Sequence, residues 1–141
     1  QYVRDIGLSE KVIFTGAVYD REIVRAFFSI ADLFLFPSTY DTSGLVVKEA
    51  AACSLPSLVV ADSCPSEGII HGENGFLCHE NSVSMSKTLE NILNHPKLIK
   101  TVGENAADTV YLSWKDSVAR AYSRYCQVAS EWDKPLPYQY R

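Results

Sequence analysis

Four consecutive apolar residues, Leu33-Phe34-Leu35-Phe36, are stopped by Pro37 and run out through Ser38-Thr39-Tyr40-Asp41-Thr42-Ser43-Gly44 into the helix-forming stretch Leu45-Val46-Val47-Lys48-Glu49-Ala50-Ala51-Ala52. A strand apolar at every position is one covered on both faces, and such strands belong to parallel sheets held between helix layers. The unit strand, polar loop, helix therefore constrains the fold more than any other feature. It has companions on both sides. Val12-Ile13-Phe14 reads as a short strand ending at Thr15-Gly16, and Asp20 can cap a helix with Ile23, Val24, Phe27 and Phe28 on one face. Downstream, Pro56 opens a strand over Ser57–Ala61, and His71-Gly72-Glu73-Asn74-Gly75 turns into the strand Phe76-Leu77-Cys78. Ser82 is placed to cap a helix carrying Met85, Leu89, Ile92 and Leu93, and a further helix runs from about Lys97 to Asp108. A last one starts near Trp114, with Val118, Ala121, Tyr122 and Tyr125 spaced to pack. The alternation predicts an α/β, Rossmann-like three-layer domain with a mostly parallel sheet, whose ligand site lies in the loops at the carboxyl ends of the strands.

The 141 residues suit one domain: residues 1–132 as the folded unit and 133–141, with two prolines, as an extended tail. Hydrophobic residues at 47% and charged ones at 21% exclude a disordered chain or a collagen-like repeat. The net charge is -4 and no basic block stands out, which disfavours a nucleic-acid partner. No apolar run approaches the ~18 residues needed to span a bilayer, and no signal-peptide pattern is present. Cys53, Cys64, Cys78 and Cys126 form no CxxC pair and read as buried, reduced thiols suited to a cytoplasmic protein. The chain starts at Gln1 and its one methionine is Met85, so it reads as a piece of something longer.

Chemistry concentrates in the loop after Phe36. The first turn of a helix leaves backbone N–H groups unpaired and carries partial positive charge, and Ser43-Gly44 would let an anion reach those donors. Asp41 and Glu49 stand eight positions apart, one in the loop and one in the helix. A carboxylate in the helix suits a ribose diol; one at the loop end suits sugar hydroxyls or a developing positive charge. The alternative reading of the same residues is a helix cap with a solvated acid behind it. Glu49 lies among Val47 and Ala50-Ala51-Ala52, an apolar setting in which an acid needs a partner. His71, His79, Cys64 and Cys78 match no compact zinc spacing, and neither a G-x-S-x-G elbow, a P-loop nor a G-x-G-x-x-G is found.

The run from Phe34 to Ala52 resembles the donor-site motif of glycosyltransferase family 4, retaining enzymes of the GT-B fold. Val12–Val18, Pro56–Val60, Glu67-Gly68 and Gly72–Leu77 fit the neighbouring elements of that family in order. The resemblance implies a partial C-terminal, nucleotide-sugar-binding domain and the transfer of a hexose, with UDP favoured as the nucleotide, to an acceptor hydroxyl. It implies that Glu49 binds the ribose and that Asp41 lies beside the donor sugar as the catalytic acid. Thr42, Ser43, Gly44 and Leu45 would line the diphosphate and sugar, Ser43, Gly44 and Leu45 through N–H groups, and Gly16, Ala17 and Val18 would meet the base through backbone. It implies no metal or other cofactor, and a parent in the cytoplasm or peripheral at the membrane face. Two departures stand out. Position 41 is Asp where the family usually has Glu, one methylene shorter. The family's Arg and Lys pair after the first strand of this domain has no counterpart, so the chain is expected to lack two strands and the acceptor-binding domain, and to be inactive alone. Strand loss would leave Val12–Phe14 to re-pair, to swap between chains or to join the next strand, and would open a sheet edge to another copy.

Overall fold

The computed structural model describes residues 1–132. In chain order it contains α1 (Tyr2–Asp5), a 3-10 turn at Ser9–Lys11, α2 (Arg21–Ile30), β1 (Phe34–Phe36), α3 (Leu45–Ala52) and β2 (Ser57–Val60). A 3-10 turn at Cys64–Ser66, β3 (Phe76–Cys78), α4 (Ser82–Leu93), α5 (Pro96–Thr109) and α6 (Trp114–Trp132) follow. The three strands form one parallel sheet in the order β1-β2-β3, with Leu35 level with Leu58 and Val59 level with Leu77. This is the α/β, Rossmann-like layered arrangement that the sequence predicts.

The strand alternation assigns the two faces. Val59 of β2 packs with Val47 and Ala51 of α3, with Ala106 of α5 and with Val110, just past the end of α5. Leu58 and Val60 point the other way, into a cluster with Phe76, Ile92 of α4 and Val102 of α5. All four residues of β2 are buried, and α5 serves both clusters. Local signals explain the helix boundaries. The Asp20 side chain accepts the N–H groups of Glu22 and Ile23 to start α2, and Pro96 occupies the first turn of α5, where a missing N–H costs nothing. At α4 the cap is Asn81 rather than Ser82: its Oδ1 accepts the Ser84 N–H at 2.8 Å, and Ser82 begins the helix.

Several sequence expectations are corrected. Val12–Phe14 forms no strand; Ile13 and Phe14 stand 88% and 79% exposed, because among the described residues no strand stands between the segment and β1, whose outer edge stays unpaired. For the same reason β1 is an edge strand, not one covered on both faces: Leu35 shares the face of Leu58 but lies outside that cluster and is 46% exposed. The expected apolar face of α2 is only half covered. Val24 and Phe28 are partly buried, Ile23 and Phe27 are exposed, and Phe28 meets Phe34 edge-on at 5.3 Å. Leu93 lies outside the α4 contact. Val118, Ala121, Tyr122 and Tyr125 do not pack together under cover; α6 has no buried residue. The four cysteines are free, but Cys78 alone is buried; Cys53 is intermediate, and Cys64 and Cys126 are exposed. The expected tail at 133–141 lies outside the described residues.

Candidate functional site

The loop from β1 to α3 is shaped by Asp41 and Gly44. Asp41 Oδ1 accepts the N–H of Ser43 at 2.9 Å and that of Gly44 as well. Gly44 caps α3 with φ 58°, a left-handed backbone that favours glycine, and a Cβ there would lie 3.0 Å from Pro65 Cα. The loop after β1 and the loop after β2 therefore touch at the carboxyl side of the sheet. Thr39 Oγ1 donates to Glu80, just past β3, at 3.4 Å and brings the third loop to the same end.

Two consequences bear on anion binding. Ser43 and Gly44 N–H, expected to face a diphosphate, are already donated to Asp41. The N–H groups of Leu45 and Val46 have no hydrogen-bond partner among the described residues and project from the start of α3. The N–H bonds, Gly44 first and Ser43 second, hold the Asp41 carboxyl below its ordinary 3.8. A carboxyl lowered in the folded state contributes stability above pH 3.8, and the contribution disappears as pH falls through the folded value. The urea midpoint of the wild type should thus exceed that of Asp41→Asn at pH 6, and the two should converge below pH 3.8. A gap that stays constant across that range would show that ionised Asp41 does not hold the loop.

Glu49 lies in the second turn of α3, with its side chain 39% exposed. The partner that its apolar setting demands is Arg21, at the start of α2: Nη2 lies 2.9 Å from Oε1. Glu49 Oε2 has no hydrogen-bond partner among the described residues. A cleft of about 230 Å3 opens between α2 and α3, lined by Arg21, Val24, Arg25, Phe28, Glu49, Ala52 and Cys53. A second hollow of about 230 Å3 shares Arg21 and Glu49 and reaches Lys48, Tyr111 and Trp114.

The structure thus gathers Asp41, Thr42, Ser43, Gly44, Leu45 and Glu49 at one loop–helix junction. It does not bring Gly16, Ala17 and Val18 to either hollow. Gly16 has a φ of 68° and open space where a Cβ would stand. Glu67 is exposed, with no side-chain hydrogen bond or ion pair among the described residues. His71 is committed to local structure, its Nδ1 accepting the Leu77 N–H at 3.0 Å, and no group of three or more His, Cys, Asp or Glu among the described residues could hold a metal ion.

Sequence reasoning left two residues without their roles. Arg21 reads as an exposed cation on a polar helix face, and only the demand of Glu49 for a partner points toward it. Asn74 reads as a turn residue but is 6% exposed and central. Its Oδ1 accepts the Ile70 N–H at 2.7 Å, and its Nδ2 donates to Gly68 O at 3.1 Å and Thr109 Oγ1 at 3.0 Å. Those bonds fasten the loop before β3 to the end of α5.

The sequence profile described as Glycosyl transferases group 1 matches residues 1–109. Alpha-monoglucosyldiacylglycerol synthase of Acholeplasma laidlawii is 33% identical over 105 residues, 74% of this chain and 25% of its own length. Sucrose-phosphate synthase of Thermosynechococcus elongatus superposes with a TM-score of 0.78 at 26% identity, over 92% of this chain and 33% of that one. The Anabaena protein HepE, solved in complex with UDP-glucose, superposes with a TM-score of 0.66 at 25% identity, over 75% of this chain and 29% of its own. The chain spans only 25–29% of the length of the curated relatives it matches first.

Proposed function

The chain belongs to the group 1 glycosyl transferase family and carries a Rossmann-like part of the GT-B fold, and on that premise we propose that residues 1–132 form part of the donor-binding domain of a retaining hexosyltransferase of glycosyltransferase family 4. The donor is a nucleotide-diphosphate sugar, with UDP favoured, and the acceptor hydroxyl is bound by a domain outside this chain. The observation that carries this reading is the junction of β1 and α3. There, free N–H groups at Leu45 and Val46 stand one turn from a half-buried carboxylate with an unused oxygen.

Each residue has a part. The N–H groups at the start of α3 hold the diphosphate, and Glu49 takes the ribose hydroxyls. Ser43 and Gly44 supply the rest of the anion cradle when the diphosphate displaces the Asp41 carboxylate from them. Asp41, released from those N–H groups, is still an ionised carboxylate at neutral pH, as an ordinary aspartate is, and stabilises positive charge as the sugar becomes oxocarbenium-like. Thr42 is exposed in the same loop, between Asp41 and Ser43. Gly16, Ala17 and Val18 meet the base, which requires the segment to move toward the cleft. The parent works at the cytoplasmic side, in solution or peripheral to a membrane; no helix among the described residues is long and apolar enough to cross one. Without the basic pair that neutralises a leaving diphosphate, the chain binds donor but does not transfer sugar alone.

A second reading, a non-catalytic nucleotide-binding or interaction module on the same fold, is favoured by one observation: Asp41 already occupies two of the expected anion donors. Titrating the 15N-labelled chain with UDP tests the nucleotide site itself and separates it from an interaction module that binds no nucleotide. Donor binding predicts saturable amide shifts centred on Leu45 and Val46, with Ser43 and Gly44 following as Asp41 releases them. Silence at these four amides up to millimolar UDP would overturn the donor-site reading.

A further inference from the structure

Among the described residues three ion pairs are formed, and two of them are local, Arg25–Glu22 and Lys100–Glu104, each within one helix. Arg21–Glu49 alone joins two helices. Its geometry is one-sided. A single guanidinium nitrogen meets a single carboxylate oxygen at 2.9 Å, the arginine side chain is 79% exposed, and the carboxylate is half-buried. An ionised carboxylate has about four acceptor sites, two on each oxygen, so the pairing leaves Oε2 whole. Two vicinal hydroxyls need two such sites. An unpaired glutamate on a helix samples several rotamers, and ordering it on binding costs entropy.

We propose that Arg21 is a positioning residue of the nucleotide site: by holding Glu49 Oε1 across the cleft between α2 and α3, it presents Oε2 to the ribose diol of the bound nucleotide. The inference rests on the donor-site reading above and deepens it. Arg21 does not touch the nucleotide; it acts through Glu49. Val24 and Phe28 seat α2 through their half-buried side chains, Phe28 against Phe34, and the pair ties the first turn of α2 to α3 across the cleft.

The test is calorimetric, with UDP and 2′-deoxy-UDP titrated into the wild-type chain, Arg21→Ala, Arg21→Lys and Glu49→Ala, and into Arg21→Ala combined with Glu49→Ala. An exposed pair of this kind sets the scale, so Arg21→Ala should bind UDP about two- to fivefold more weakly. The preference for UDP over 2′-deoxy-UDP should shrink by the same factor, which general loosening of α2 would not cause. Arg21→Lys restores part of the preference, and in the Glu49→Ala background removing Arg21 changes nothing further. Unchanged or tighter UDP binding by Arg21→Ala, or an equal loss for both ligands, would overturn the positioning role while the effect of Glu49→Ala keeps the donor site standing. Binding of both ligands that is indifferent to Glu49→Ala would instead remove the donor-site reading itself.

Discussion

Gly103→Ala should cost the domain about 2–3 kcal/mol, although alanine is the better helix former by about 1 kcal/mol. The reason is a backbone-to-backbone approach. A Cβ at position 103 would lie 2.1 Å from Ser54 O, with Pro56 Cδ at 3.0 Å. Neither neighbour can swing aside as a flexible side chain would. Ser54 is itself held in a left-handed conformation, φ 56°, where the chain leaves α3 for β2. To admit a methyl group, α5 must back away from α3, and the cluster of Val47, Ala51, Ala106 and Val110 opens with it. The cost appears as a lowered urea midpoint with an unchanged slope. Glu104→Ala, on the outward face of the same helix, is the control and should stay within about 0.5 kcal/mol. Equal midpoints for Gly103→Ala and wild type would mean that α5 does not approach the α3–β2 turn as closely as the structure has it.

The position of that contact explains why much of the fold is legible in the sequence and some is not. Periodicity finds elements whose buried face is complete. Leu58–Val60 is apolar because it is central, and the buried face of Leu45–Ala52 is small, Val47, Ala50 and Ala51, because α5 and β2 press on it. Phe34–Phe36 carries the same kind of apolar pattern, yet it is an edge strand. A run of apolar residues states what a segment would bury, not whether anything covers it. Val12–Phe14 and the α6 residues Val118, Tyr122 and Tyr125 fail for that reason. Their patterns ask for neighbours that the described residues do not include.

The site was legible in type but not in its bonding. The sequence places Asp41, Ser43, Gly44 and Glu49 at one loop–helix junction, because a polar exit after a strand and a glycine before a helix leave few other arrangements. It does not reveal that Asp41 takes the Ser43 and Gly44 N–H groups for itself, since one carboxylate can cap a loop or face a sugar from the same position. Nor does it reveal Arg21 as the partner of Glu49, across 28 positions of chain. Asn74 was hidden in the same way. A turn asparagine and a buried hub look alike until Thr109 is brought to it by the fold.

The central claim is that Glu49 reads the ribose of a nucleotide held at the start of α3. Glu49→Ala is therefore expected to weaken UDP binding by ten- to a hundredfold, since losing hydrogen bonds to a charged acceptor costs about 1.5–3 kcal/mol. The substitution suits a helix and removes an exposed pair worth at most about 1 kcal/mol, so the fold should survive and the comparison remain clean. Gly44, Leu45 and the α3 backbone are untouched, so the affinity that persists is that of the diphosphate and the base. Calorimetric titration of the wild-type chain and Glu49→Ala with UDP, GDP and ADP tests this directly. Saturable one-to-one binding of UDP by the wild type, weaker binding of the other two, and at least a tenfold loss in Glu49→Ala are the expected results. Equal UDP affinity in the two chains, or no binding by the wild type, would contradict the claim.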